Sequence, residues 1–286
     1  MKPTRGASLI LTSAFFYATY GIWSRIMGNA FGEFSQAWTR GLVLLIFILI
    51  FNFKYKIFKP LQKRDLPWLA IIGLAGGINQ APYYFGFQHL SIGTATLLFY
   101  AALVVGGYLL GKIFFKEQIT GIKIVSLVLA IVGMASIYHF QLLPSQFLAA
   151  GMTIISGLLG SITVIIPRKL VGNYPEFQVM VSYFSLQIIF NGVLSILFHN
   201  SIPHISNITP WIGQLAYAIA MLFANWAAIE GYKHYDASIG SLIGLAEIIF
   251  GVAFGVIIFH EPLTIGITLG SLIIISAAAL PHLKLG

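Results

Sequence analysis

Residues 6–138 and 149–281 of this chain resemble each other: both stretches are strongly apolar, and their matching positions lie about 143–145 residues apart. A repeat of this size constrains the whole fold, because whatever one half forms the other must form too. An offset of 144 pairs Leu98 with Leu242, Ala102 with Ala246, Gly107 with Gly251, Gly111 with Gly255, Phe115 with Phe259, Glu117 with Glu261 and Thr120 with Thr264. Apolar composition alone does not align the two glutamates. An offset of 143 pairs Ser13 with Ser156, Arg25 with Arg168 and Glu33 with Glu176, and an offset of 145 pairs Gly86 with Gly231 and His89 with His234. The registers differ by single-residue slips, which divides the chain into repeats 1–143 and 144–286.

Only 8% of the residues are charged and 58% are hydrophobic, whereas a soluble domain carries roughly 25% charge. The solvent of such a chain is a bilayer. Ten apolar stretches fall near 7–27, 34–53, 67–87, 92–111, 120–138, 147–166, 177–198, 211–231, 237–259 and 265–281, each close to the ~20 residues a spanning helix needs. The fold class predicted is therefore an all-α polytopic membrane protein with ten transmembrane helices. The longest polar stretch, Lys54 to Asp65, is only a basic loop, so no soluble enzyme domain is expected. Lys2 and Arg5 precede an apolar run as in a signal peptide, but that run is long enough to span and nine more follow, which makes it the first span. The absence of cysteine removes disulfides and thiol chemistry.

The net charge of +8 is concentrated on one side of the predicted spans and so gives no ground for a nucleic-acid partner. Lys2 and Arg5, the loop lysines 54, 56, 59 and 63 with Arg64, then Lys112, Lys116, Lys123, Arg168, Lys169, Lys233 and Lys284 all fall on the same face, and Arg25 alone lies near the other. The positive-inside rule then predicts a multi-pass inner-membrane protein with both termini cytoplasmic.

Five spans per repeat is an odd number, so the second repeat begins on the opposite side from the first and the repeats are inverted. Inverted repeats are a recurring design of secondary transporters, in which two pseudo-symmetric states open to either side of a midplane site. The ten spans, the inverted duplication and the small-residue helices that end in FFKEQIT and IFHEPLT resemble the drug/metabolite transporter superfamily, most closely its EamA-like branch. The resemblance implies a cavity between the repeats lined by spans 1, 3, 4, 6, 8 and 9, with spans 5 and 10 peripheral. It also implies cargo drawn from amino acids, other metabolites, nucleotide sugars or sugar phosphates.

Ser13, Tyr17, Tyr20 and Ser24 recur at spacings of 4, 3 and 4, one helical face of hydroxyls, and Ser156, Gly160, Thr163 and Pro167 are their repeat mates. Two readings stand for these hydroxyls: a cavity lining, or bonding to their own helix backbone. Pro167 is placed to end or bend the sixth span. Asn79, Gln80, Tyr83 and Tyr84 on the third span and Asn225, Trp226 and Glu230 on the eighth need partners inside hydrocarbon, from a substrate or a neighbouring helix. Glu247 lies about eleven residues into its span on a stripe of Gly240, Gly244, Gly251 and Gly255. A charge at that depth costs several kcal/mol unless paired or protonated, which marks it as the leading functional residue. Its repeat mate, Leu103, is apolar. Arg40 lies roughly 9 Å into the second span at 1.5 Å per residue, a candidate partner for a substrate carboxylate. Glu117 and Glu261, at helix ends on opposite faces, are expected to serve gating or folding.

Arg40 is the one arginine within a span and away from its ends, which disfavours phosphorylated cargo, and no Gly-rich phosphate loop, metal-ligand cluster or nucleophile–base pair is visible. No enzyme activity, metal or cofactor is expected. The expectation is a carrier of a small amino-bearing metabolite, first among them an amino acid, with Tyr17, Tyr20, Tyr83, Tyr84, Tyr100, Asn225 and Trp226 lining the path and Glu247 near the amino group. The alternatives are an organic cation such as S-adenosylmethionine or a drug cation, favoured by aromatic faces around one carboxylate, or, from another class, a lipid flippase or a non-transporting membrane subunit. A second copy of the chain is a further candidate partner, seated on glycine stripes such as Gly106, Gly107 and Gly111.

Overall fold

Hydrocarbon offers the backbone no hydrogen-bond partner, so an apolar chain of this kind must satisfy its amides within each segment. The computed structural model describes residues 3–138, 142–170 and 172–282, and among them there is no strand. In chain order the α-helices are α1 (Pro3–Ala18), α2 (Tyr20–Met27), α3 (Glu33–Tyr55), α4 (Leu66–Ile78), α5 (Gln80–His89), α6 (Ile92–Phe115), α7 (Gly121–Ile137), α8 (Phe147–Ile165), α9 (Glu176–Leu197), α10 (Ile208–Tyr232), α11 (Ala237–Gly244), α12 (Ala246–Phe259) and α13 (Ile265–Ala279).

Seven helical segments among the described residues are long and apolar enough to cross a membrane: Glu33–Tyr55, Ile92–Phe115, Pro144–Leu170, Glu176–Leu197, Ile208–Tyr232, Ala237–Phe259 and Ile265–His282. The remaining three of the ten predicted stretches fall on α1 with α2, on α4 with α5, and on the 17-residue α7. Their shortness has local causes. At Thr19 the hydroxyl bonds the carbonyl of Phe16 at 2.6 Å, and the backbone N–H is shared between the carbonyls of Phe15 and Phe16. Between α4 and α5, Pro82 has no N–H to give the carbonyl of Ile78, and the helix is interrupted at Asn79. Ala227 stands at the repeat-equivalent position, and α10 runs through it unbroken.

A third break separates α11 from α12, where the N–H of Leu245 turns to the carbonyl of Leu242 in a tight 3₁₀ step. Gly244, a poor helix former, precedes it, whereas the repeat-equivalent Tyr100 sits inside the continuous α6. Past α8 the chain tightens into a 3₁₀ turn, Ile166–Leu170, that contains Pro167. Pro167 cannot donate to the carbonyl one turn back, so α8 stops at Ile165.

The principal helix packings join one half of the chain to the other: α6 on α8, α7 on α13, α3 and α4 on α9, and α1 on α10. Buried amides follow the same rule. Gln187 on α9 donates to the carbonyl of Ala37 at 2.9 Å, and Asn191, one turn on, donates to the carbonyl of Gly77 at 3.1 Å. The outside is apolar: Phe53 is 87% exposed and Ile265 79%, an exterior suited to lipid and unfavourable in water.

Small residues set the helix spacing. A Cβ on Gly106 would come within 2.2 Å of the Ser161 hydroxyl of α8, and one on Gly107 within 2.0 Å of the Ser241 hydroxyl of α11. That stripe therefore seats internal helices, which removes it as an argument for a second copy. Between α7 and α13 the backbones of Gly133 and Gly270 meet, and a Cβ on Gly270 would lie 2.4 Å from the carbonyl oxygen of Gly133. Gly270→Leu is expected to force these helices apart at a cost of about 1–3 kcal/mol. Thermal unfolding of the purified protein in detergent reads the drop in midpoint, and Gly251→Ala, where a Cβ meets nothing within 4 Å, is the silent control.

Candidate functional site

Glu247 sits in the first turn of α12, two residues past the break at Leu245. It lines a small cavity of about 50 Å³. Ser13 and Tyr17 of α1, Tyr100 and Leu103 of α6, Tyr232 of α10 and Gly244 are among its other walls. Tyr100 donates to one carboxylate oxygen at 2.6 Å. Among the described residues no cationic nitrogen lies within 4.0 Å of the carboxylate. Two pairs of repeat mates, Tyr100 with Gly244 and Leu103 with Glu247, thus line one cavity, with a phenol and a carboxylate from one member of each pair and a glycine and a leucine from the other.

Arg40 forms a second, oppositely charged pole. It is 6% exposed on α3, and its guanidinium lies 3.4 Å above the ring centroid of Tyr217 on α10, a cation–π placement. It donates to Gln36 Oε1 at 3.0 Å and Gln214 Oε1 at 3.4 Å, and its Nε has no partner. No carboxylate lies within 4.0 Å of it among the described residues. Gln36 in turn donates to Glu33 at 3.4 Å and Gln80 donates to Glu33 at 3.0 Å, a polar relay along the start of α3.

Tyrosines bridge the two poles. Tyr217 packs on Tyr20 with ring centroids 4.1 Å apart, and Tyr20 on Tyr17 at 5.3 Å. Tyr17 then reaches the cavity that holds Glu247, donating to Asn225 Oδ1 at 3.3 Å on the way. The Tyr20 hydroxyl is buried without a partner. On the far side of Glu247, Tyr100 packs on Phe99, Phe99 on Tyr83 and Tyr83 on Phe87.

The other residues singled out from sequence divide. Asn225 also donates to its own helix, to the carbonyl of Met221 at 2.8 Å. Asn79 accepts from Ser156 at 2.6 Å and Gln80 is spent on Glu33, so both serve helix–helix bonding. Thr163 bonds its own helix carbonyl at Gly160, the backbone-bonding alternative for that hydroxyl. Tyr84 accepts from Gln88 and packs on Phe34. Trp226 is half-buried beside Asn225, and Ser24 is exposed. Glu230 is not at the depth of Asn225: it pairs with Arg5 at 3.1 Å and Lys233 at 2.7 Å at the helix end. Tyr217 and Gln214 were not singled out from sequence. Their spacing of 3, continued to Met221 and Asn225, is a helical stripe that carries the signal.

Ion pairs concentrate at the basic face. Lys233 bridges Glu176 and Glu230, and burial beside Arg5 holds its ammonium below the usual lysine range. Lys123 pairs with Asp236 at 3.2 Å, and Arg168 with Glu117 at 2.8 Å. The opposite face carries Arg25 with Glu261, both about half exposed.

The family model of the EamA-like transporter family matches this chain twice, over residues 4–139 and 147–281. A Saccharomyces cerevisiae protein described as a probable transport protein is 24% identical over 314 residues, covering 97% of this chain and 88% of its own length. A Helicobacter pylori protein described as an uncharacterized transporter is 22% identical over 281 residues, covering 96% of this chain and 93% of its own. A protein of known crystal structure superposes with a TM-score of 0.81 at 15% identity, over 98% of this chain and 97% of that one. At that identity the likeness shows the fold alone.

Gln214 also donates to the carbonyl of Gln36 at 2.6 Å and the Thr39 hydroxyl at 2.7 Å. Gln214→Leu keeps the volume and strands these buried groups, so it is expected to cost roughly 1–3 kcal/mol of stability. A thermal melt checks this, and Gln214→Glu, which gives Arg40 a counter-charge, should recover part of the loss.

Proposed function

This chain belongs to the EamA-like transporter family, and from that membership we propose that it is a secondary carrier, not an enzyme, moving a small amino-bearing metabolite, an amino acid first, by alternating access. Ten spans arranged as two inverted five-helix repeats, in an inner membrane with both termini cytoplasmic, complete the proposal. Reciprocal packing of the two halves supports the repeat arrangement. So do the repeat mates that face each other across the Glu247 cavity, as residues beside an axis relating the halves must. The charge distribution supports the orientation.

One observation carries the cargo class. The structure holds a buried cation, Arg40, and an intramembrane carboxylate, Glu247, that do not neutralise each other, with tyrosines between them. Uncompensated charges in hydrocarbon are costly, and a zwitterion with an ammonium and a carboxylate satisfies both. A purely cationic cargo leaves Arg40 unused, and a phosphorylated one meets a single arginine. The cavity beside Glu247 is too small for an amino acid as it stands, so binding requires the halves to move, as alternating access does.

The test is thermal stabilisation across amino acids, organic cations and sugar phosphates, followed by flux in proteoliposomes. A ligand at 100 times its Kd adds about 2.7 kcal/mol of apparent stability. An amino acid is expected to stabilise the native protein, and Glu247→Gln to abolish both the shift and transport while the variant still inserts. Stabilisation by a sugar phosphate, or normal transport by Glu247→Gln at every pH, overturns the assignment.

A further inference from the structure

Two turns on opposite faces of the molecule are local copies of each other. After α6, Lys116 is left-handed (φ 55°) and the N–H of Glu117 bonds back to the carbonyl of Gly111; after α12, His260 is left-handed (φ 54°) and the N–H of Glu261 bonds back to Gly255. Each glutamate folds over its glycine. Each pairs with an arginine that stacks on a phenylalanine: Arg168 on Phe115 at 4.6 Å, Arg25 on Phe259 at 3.8 Å. All of these residues are repeat mates.

Beyond the turn the two differ. Glu117 crosses to the other half and caps α11, accepting from the N–H of Ala237 at 2.7 Å, the N–H of Ser238 at 3.2 Å and the Ser238 hydroxyl at 2.9 Å. Its side chain is 4% exposed. Glu261 makes no such crossing: its side chain is 48% exposed, and the helix it faces by repeat symmetry, α6, is capped by its own Ser91, which accepts from the N–H of Thr94 at 3.2 Å. The packing behind follows suit, with Gly107 tight against Ser241 behind Glu117 and open space beside its mate Gly251 behind Glu261.

We propose that these are alternating latches: Glu117 on α11 seals the basic face in the state seen here, and in the other state Glu117 undocks while Glu261 crosses to cap α6 at Gly93 and Thr94, the mates of Ala237 and Ser238. The physical basis is that a carboxylate on helix-terminal N–H groups makes charge-assisted bonds, and the two docked forms are near copies, so exchanging one for the other costs little net energy. Each arginine stays with its glutamate as it moves. This inference rests on the alternating-access reading and adds the device that holds each state.

The chain has no cysteine, so Ser241→Cys, fully buried behind the Glu117 latch, reports opening of the basic face to a membrane-impermeant maleimide, with no substrate needed. In that background Glu117→Gln is expected to speed labelling from the basic side by roughly tenfold or more, the scale of losing charge-assisted hydrogen bonds. The milder Ser238→Ala should act in the same direction if Glu117→Gln does not fold. Glu261→Gln and Arg25→Gln, on the exposed side, are expected to slow labelling and flux together. Unchanged labelling in folded Glu117→Gln and Ser238→Ala, or unchanged labelling and flux in Glu261→Gln, overturns the latch. Labelling that responds as expected in a protein that no amino acid stabilises leaves the latch standing and removes only the cargo assignment.

Discussion

Many of the buried polar atoms in each half of this chain find their partners in the other half. The main helix packings cross between the halves. So do the bonds from Gln187 to Ala37, Asn191 to Gly77, Ser156 to Asn79, Tyr17 to Asn225, Tyr100 to Glu247 and Arg168 to Glu117. In lipid, apolar side chains gain little by leaving one apolar environment for another, so close packing of small residues and interhelical hydrogen bonds carry the association. The repeat is a unit of sequence, and the unit of stability is the interleaved pair.

The same constraint explains where charge is tolerated. At the basic face, cations and carboxylates meet in pairs near water, as with Lys233 between Glu176 and Glu230. Deep in the molecule, Arg40 lies on the face of Tyr217 and is bonded by two amides, while Glu247 has a single phenol donor. Structural pairing would have placed these two charges together. They are held apart, with tyrosines between, and are the two recognition points of the proposed site.

Repeat symmetry is kept where it is useful and lost where chemistry demands. The turns ending at Glu117 and Glu261 are nearly identical, yet Pro82 faces Ala227 and Glu247 faces Leu103 across the repeat. Pro82 accompanies an interruption between α4 and α5 where α10 is continuous, and Glu247 has no carboxylate mate. A symmetric frame with an asymmetric lining is what the proposed alternating-access carrier requires: two states of similar energy around a single site.

The amino-acid sequence by itself determined that the chain is helical, membrane-embedded and duplicated, because hydropathy and matched offsets are properties of residue order. It marked Glu247 and Arg40, since a charge in an apolar run is conspicuous wherever it points. It could not assign Asn79, Gln80 and Thr163, whose partners lie on other helices or on their own backbone. It did not reveal that Glu230 belongs to the ion cluster at the helix end, or that Tyr217 is the surface on which Arg40 rests. Those outcomes, and the docking of Glu117 where Glu261 stays undocked, were decided by the tertiary structure. Side-chain partnership depends on which helices meet and at what height, and period and composition do not encode that.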